Sequence, residues 1–211
     1  VLDILHKGVE SNRHCLFHTD SLHKYHPDEF GNSEVLFNDA YNAELEFYKN
    51  SSCELYYPVM QYLNTLDENI LVLFDRIETG KNLFDLAQKV VTSKKAYYID
   101  GSTEVTLRED ARQAFEQSGN NILVGNVSIV GTGINIKRLK HVVFIASTKS
   151  FSRVIQSIGR ILRLHDTKDE AHLVDIVLNT KYSRKHYQER LKFYKDVYHK
   201  KKPDEVIKLE V

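Results

Sequence analysis

Five short, almost uninterrupted apolar runs constrain this chain more than any other feature. They are Ile70 to Phe74, Ala96 to Ile99, Ile122 to Gly125, His141 to Ala146 and His172 to Val177. A strand with one face in water alternates apolar and polar residues, whereas one that is apolar at successive positions is buried on both faces. That is the situation of a parallel sheet covered by helices on either side. The intervening segments supply those helices: Leu83, Leu86, Ala87 and Val90 recur at helical spacing, as do Leu107, Ala111, Ala114 and Phe115. Thr106 followed by Glu109 has the form of a capping box and places the start of the second helix there. Ser93-Lys94-Lys95 and Ser118-Gly119-Asn120 mark returns to the sheet. The expected fold class is α/β, a three-layer α/β/α domain with a mostly parallel central sheet and right-handed crossovers.

Outside this interval the signal is weaker. Arg13 to Phe17 reads as an extra strand, and Asp39 to Tyr48 and Leu55 to Leu63 read as helices, with Pro58 expected to shift the start of the latter. Lys181 to Tyr198 is a helical stretch rich in Lys, Arg and Tyr, followed by Lys200-Lys201-Lys202-Pro203. Its cations Lys181, Arg184, Lys185, Arg190, Lys192 and Lys195 are interrupted by Glu189 and Asp196, so a solvated surface helix is favoured over an extended nucleic-acid track.

Composition narrows the classes. With 42% apolar and 27% charged residues over 211 positions, the chain suits an ordinary globular domain with a full core. Its 29 basic and 29 acidic residues cancel, so any nucleic-acid site must be a local patch. Cys15 and Cys53 lie far apart, which argues against a disulfide framework and a zinc site and for reduced thiols in the cytoplasm. His14, His18, His23 and His26 cluster without regular ligand spacing, and no metal site is expected. The longest apolar stretches, such as Val142 to Ala146, fall far short of the ~20 residues that span a bilayer, so no membrane partner is expected.

The most chemically informative segment is Phe151 to Arg163, FSRVIQSIGRILR. On a helix, Phe151, Val154, Ile155, Ile158 and Leu162 share one face, while Gln156, Arg160 and Arg163 stack on the opposite face. Two guanidiniums at successive turns offer planar donors and a charge that does not titrate, a combination suited to a polyanion. An amphipathic helix with exposed arginines has the same pattern, and the neighbouring motifs decide between the two.

Gln156-Ser157-Ile158-Gly159-Arg160-Ile161-Leu162-Arg163 resembles motif VI of superfamily two helicases, Q-x-x-G-R-x-x-R. Gly131-Thr132-Gly133-Ile134-Asn135-Ile136 resembles motif V and leads into the run at His141. Asp100-Gly101-Ser102-Thr103, with Arg108 and Phe115, resembles the segment preceding motif V, and Ile70 to Phe74 with Arg76 and Gly80 resembles motif IV. Order and spacing agree over about half the chain, from Ile70 to Val177. QSIGRILR and the tail around His186, Arg190 and Tyr194 look most like UvsW-type phage DNA helicases, which places the protein in the host cytoplasm if a phage encodes it.

The resemblance implies a RecA-like fold: residues 1–65 as linker and N-terminal elements, 66–180 as the helicase C-terminal core and 181–211 as a basic helix and tail. In this family ATP lies between two RecA-like domains. Arg160 and Arg163 are then expected to reach the γ-phosphate, Gln156 to order the same cleft, and Gly133 and Asn135 to lie near the nucleotide sugar. Many relatives carry Asp where Asn135 stands. Arg76, Ser102, Asn126 and Lys149 are expected to meet a nucleic-acid backbone, contacts that position a strand without reading its sequence.

The sequence lacks a phosphate loop. Gly80-Lys81-Asn82 fails the pattern twice, because Asp75 stands at the first glycine and Asn82 at the Ser or Thr that would hold magnesium. No acidic box closes an apolar strand. ATP and Mg2+ are therefore expected to be held mainly by an N-terminal RecA-like domain upstream of Val1, with no appreciable ATPase activity from these residues alone. The resulting expectation is the second motor domain of a DNA helicase or translocase acting on branched or forked DNA. The alternatives are an RNA helicase motor domain and a stand-alone nucleic-acid-binding or docking module.

Overall fold

The computed structural model describes residues 52–133, 136, 138–145, 171–178 and 181–198. Within them the order of elements is α1 (Ser52–Asn64), β1 (Asn69–Phe74), α2 (Ile77–Val90), β2 (Lys95–Ile99), α3 (Val105–Gln117), β3 (Asn121–Asn126), α4 (Val127–Gly133), β4 (Leu139–Phe144), β5 (His172–Asp175) and α5 (Lys181–Tyr198). The strand expected at Arg13 to Phe17 and the helices expected at Asp39 to Tyr48 and Phe151 to Arg163 lie outside the described residues.

The strands form one five-stranded sheet in the order β2-β3-β1-β4-β5, every pair parallel. Every residue of β1 and β3 is buried, as their unbroken apolar character requires. Alternate residues feed two cores. Ile70, Val72, Phe74, Ile122, Val124 and Val143 pack under α1 and α2. Leu71, Leu73, Leu123, Val142, Phe144 and Leu173 pack with Ala111 and Phe115 of α3, Val130 of α4 and Tyr194 of α5. The sheet is thus sandwiched between two helical layers, the expected three-layer α/β/α arrangement.

Where the structure departs from sequence expectation, the cause is local. Helix α1 begins at Ser52 and runs straight through Pro58 rather than starting near it. Proline in a helix interior costs about 3 kcal/mol. Leu55, Tyr56, Val59, Met60 and Leu63 are all buried on this helix, and each large apolar side chain contributes roughly 1.5–3 kcal/mol, so burial prevails. The capping box at Thr106 does not form. The N-cap of α3 lies two residues earlier, at Glu104, with no side-chain cap, while the Glu109 carboxylate accepts from Arg112 at 2.7 and 2.8 Å and from Gln113 at 3.0 Å. Leu107, expected on the apolar face of α3, is more than half exposed.

Strand β4 begins two residues before His141 and ends at Phe144, although Ile145 still donates its N–H to the Leu73 carbonyl at 3.0 Å. The expected surface helix at Lys181 to Tyr198 is a helix, but one face of it is buried: Tyr182, Ser183, His186, Tyr187, Arg190 and Tyr194 face inward. Arg190 is therefore not one of the solvated cations it was grouped with. Arg184, Lys185, Lys192 and Lys195 are exposed.

Candidate functional site

Strand order points to a candidate site. The chain leaves β1 towards the β2 edge of the sheet, while β4 leads to β5 at the opposite edge. The topological switch point therefore lies between the carboxyl ends of β1 and β4, where open α/β sheets bind ligands. Leu73 and Phe144 are paired in register at this point. Arg76 lies two residues beyond β1 and is exposed; it occupies the N-cap position of α2, with extended backbone and no side-chain cap.

Helix α2 sits closely on the sheet beside this end. A Cβ on Gly80 would collide with the ring of Phe74, the last residue of β1. That ring is fully buried and stacks on Tyr98 with centroids 5.6 Å apart. The Gly80 resemblance to motif IV thus has a packing cause: only a residue without a side chain lets the first turn of α2 approach β1 so closely.

Asn126, at the end of β3, is buried and its carboxamide is engaged. Its Nδ2 donates to the Asp75 carbonyl at 3.3 Å, and its Oδ1 accepts from the Ser128 N–H at 3.0 Å and from the Ser128 hydroxyl. Asn126 therefore ties the β3 exit to the β1 exit, one residue from Arg76. The start of α4 is fastened by the same side chain.

Beyond β2, Asp100 is the hub of a tight loop. Its Oδ1 accepts from the Ser102 N–H at 2.8 Å, the Ser102 hydroxyl at 2.7 Å and the Thr103 hydroxyl at 3.3 Å. Its Oδ2 accepts from the Tyr98 hydroxyl at 3.1 Å. These donors, the Ser102 hydroxyl foremost, hold the Asp100 pKa below the usual carboxylate value against the opposing effect of burial. Burial and the bond to Asp100 push the Tyr98 pKa up to about 12, so its hydroxyl remains a donor at neutral pH. From the other side the Arg108 guanidinium gathers the carbonyls of Thr103 at 2.9 Å and of Asp100 and Gly101 at 3.3 Å. The donors of Ser102 thus face the loop's own carboxylate, leaving the loop shape, rather than a free Ser102 hydroxyl, as what the edge presents. Asp followed by Ser and Thr two and three residues later, across a glycine, is the sequence signal for this arrangement.

At the far edge, the carboxylate of Asp175, the last residue of β5, is fully buried. It receives the Arg190 Nε and terminal nitrogen at 2.7 Å each and the Tyr194 hydroxyl at 2.7 Å. Composition gave this pair no prominence, because Arg190 lies in a stretch rich in exposed charge. Of the remaining site expectations, Gly133 is the last residue of α4, whereas Asn135, Lys149, Gln156, Arg160 and Arg163 lie outside the described residues. Among the described residues, no cluster of three or more His, Cys, Asp or Glu could hold a metal ion, and no helix is long and apolar enough to cross a membrane.

Comparison with known proteins agrees with the strand order and the motifs. The ATP-dependent DNA helicase uvsW of Enterobacteria phage T4 is 35% identical over 111 residues, covering 53% of this chain and 22% of that protein. The putative helicase 161L of Invertebrate iridescent virus 6 is 25% identical over 193 residues, 88% of this chain and 42% of its own length. The chain therefore spans less than half the length of these relatives. The crystal structure of T4 UvsW superposes with a TM-score of 0.65 at 23% identity, over 93% of this chain and 41% of that one, which supports the same RecA-like fold. The model of the helicase conserved C-terminal domain matches residues 53–165, and the chain belongs to that family.

Proposed function

We propose that this chain is the second motor domain of an ATP-dependent DNA helicase or translocase acting on branched or forked DNA in the cytoplasm. It would work with an N-terminal RecA-like domain that holds most of ATP and Mg2+. The observation that carries this reading is the family match over residues 53–165. That interval contains the carboxyl ends of β1 to β4 and the QSIGRILR segment that follows β4. The relative matched at 35% identity is named as a DNA helicase, which favours DNA over RNA.

In this reading ATP binding closes the two domains on a strand, and closure brings Arg160 and Arg163 to the γ-phosphate. Their guanidiniums stabilise charge that spreads over the phosphoryl oxygens in the transition state, an effect of roughly 10³ to 10⁵ in rate, or about 4–7 kcal/mol of barrier. Gln156 orders the same cleft, and Gly133 and Asn135 border the nucleotide sugar. Along the edge, Arg76 and Lys149 supply charge to the nucleic-acid backbone. Asn126 and the Ser102 loop fix the main-chain surface against which phosphates lie, a division of labour that the engaged carboxamide and hydroxyl support.

The test is Arg163→Ala in the full-length protein, with ATP turnover and nucleotide affinity measured side by side. Hydrolysis is expected to fall by at least about 10³-fold while nucleotide binding survives. Undiminished turnover rejects the assignment.

A further inference from the structure

Arg190 poses a question that the motor reading does not absorb. It is 3% exposed, and its guanidinium meets a carboxylate that is 0% exposed. Burying such a pair is costly, and well-packed apolar residues of similar volume hold two elements together as well or better. What an apolar pair does not supply is direction: a fork of two parallel bonds to one carboxylate fixes both distance and orientation. Here the fork is complete, with Nε on Oδ2 and a terminal nitrogen on Oδ1, and the Tyr194 hydroxyl gives Oδ2 a further donor. Burial, then the Asp175 charge, drives the Tyr194 pKa well up, so this donor does not titrate in the neutral range.

The position of the cluster matters as much as its geometry. Asp175 ends β5 and Phe144 ends β4, and the Arg190 guanidinium lies over the Phe144 ring, 5.5 Å from its centroid. One side chain of α5 thus touches the carboxyl ends of both strands at the ligand edge of the sheet. In sequence, the chain between β4 and β5 is the interval that carries Gln156, Arg160 and Arg163.

We propose that Arg190 is a positioning residue for ATP turnover: by clamping α5 onto Asp175 and Phe144 it fixes the two strand ends that flank the arginine-bearing interval in sequence. This rests on the motor reading. Transition-state contacts tolerate little displacement, and a misplacement of about 1 Å by a distant change costs about 10²-fold in rate.

The experiment uses the full-length protein with Arg190→Lys, which keeps the charge and loses the fork, and Tyr194→Phe, which keeps the packing and loses one donor. The kcat and KM for ATP are measured at saturating DNA, well below each variant's denaturation midpoint. Arg190→Lys is expected to lower kcat roughly 10- to 100-fold with KM nearly unchanged, and Tyr194→Phe to lower it less. Folded Arg190→Lys with the parental kcat, or with only KM altered, overturns the proposal. Should Arg190→Lys fail to fold, an unchanged kcat in Tyr194→Phe overturns it. Arg163→Ala runs alongside: turnover that survives Arg163→Ala rejects the motor reading itself, whereas loss there with none in the α5 variants rejects only the positioning role.

Discussion

Replacing Asp175 by alanine should be among the most destabilising single changes in this domain. The substitution removes the acceptor of two Arg190 bonds and of the Tyr194 hydroxyl, all at 2.7 Å, and leaves a guanidinium in a site 3% exposed. Breaking one side of a buried pair typically costs about 3–5 kcal/mol, because the surviving charge is left uncompensated. Total stability of a domain is about 5–15 kcal/mol, so at least about a fifth of it is at stake. With urea slopes of about 1–3 kcal/mol per molar, the unfolding midpoint should fall by about 1–5 M, read by circular dichroism. Removing both charges in Asp175→Leu with Arg190→Met should cost less than Asp175→Ala alone, since no unpaired charge remains. A loss below about 1 kcal/mol in Asp175→Ala, the range of exposed ion pairs, would refute the reasoning, as would a double variant no more stable than the single.

Two further outcomes concern the packing of the sheet. Gly80→Ala should destabilise by up to about 2 kcal/mol in denaturant titration: the gain in helix propensity is about 1 kcal/mol, but overpacking against the buried Phe74 ring costs about 1–3 kcal/mol, and a stabilised variant would show that the helix shifts freely. At the amino ends of β4 and β5, His141 stacks on His172 with centroids 4.7 Å apart, and burial, followed by the charges of His172 and Lys140, pushes its pKa down to about 3. The folded state keeps His141 neutral while the unfolded chain protonates it near 6.5, so its contribution is fully present above that value and is lost as pH falls towards 3. Between pH 7 and pH 5 the loss is about 2 kcal/mol; His141→Phe should flatten this part of the pH profile, and an unchanged slope would show that His141 is not its source.

The strands were legible because both faces are buried, so that every position of β1 and β3 had to be apolar or satisfied internally. Their polar ends were harder to assign. Asn69 opens β1 although it is fully buried, because its carboxamide donates to the carbonyls of Phe115 and Arg138 at 2.8 and 3.0 Å and accepts from Asn121 at 3.1 and 3.2 Å. Such a clamp joins residues 52 positions apart and has no local signature. Thr106 and Glu109 had a local signature, yet the helix started at Val105 and Glu109 turned to Arg112. In α5 the inward face is built from Tyr182, His186, Tyr187, Arg190 and Tyr194, whose polar tips disguise a helical stripe as a charged surface. The site followed the same division. Motif order named Arg76, Ser102 and Asn126, but only tertiary structure revealed that Ser102 donates within its own loop, to Asp100, and Asn126 to the Asp75 carbonyl beyond β1.

The central claim is that Arg160 and Arg163 act on a nucleotide shared with a second RecA-like domain. The most direct measurement is an experimental structure of the full-length protein bound to DNA and a non-hydrolysable ATP analogue. The account predicts guanidinium nitrogens of Arg160 and Arg163 within about 3 Å of γ-phosphate oxygens, at the carboxyl ends of β1 and β4. Closed domains with both guanidiniums turned away from the phosphates would contradict it.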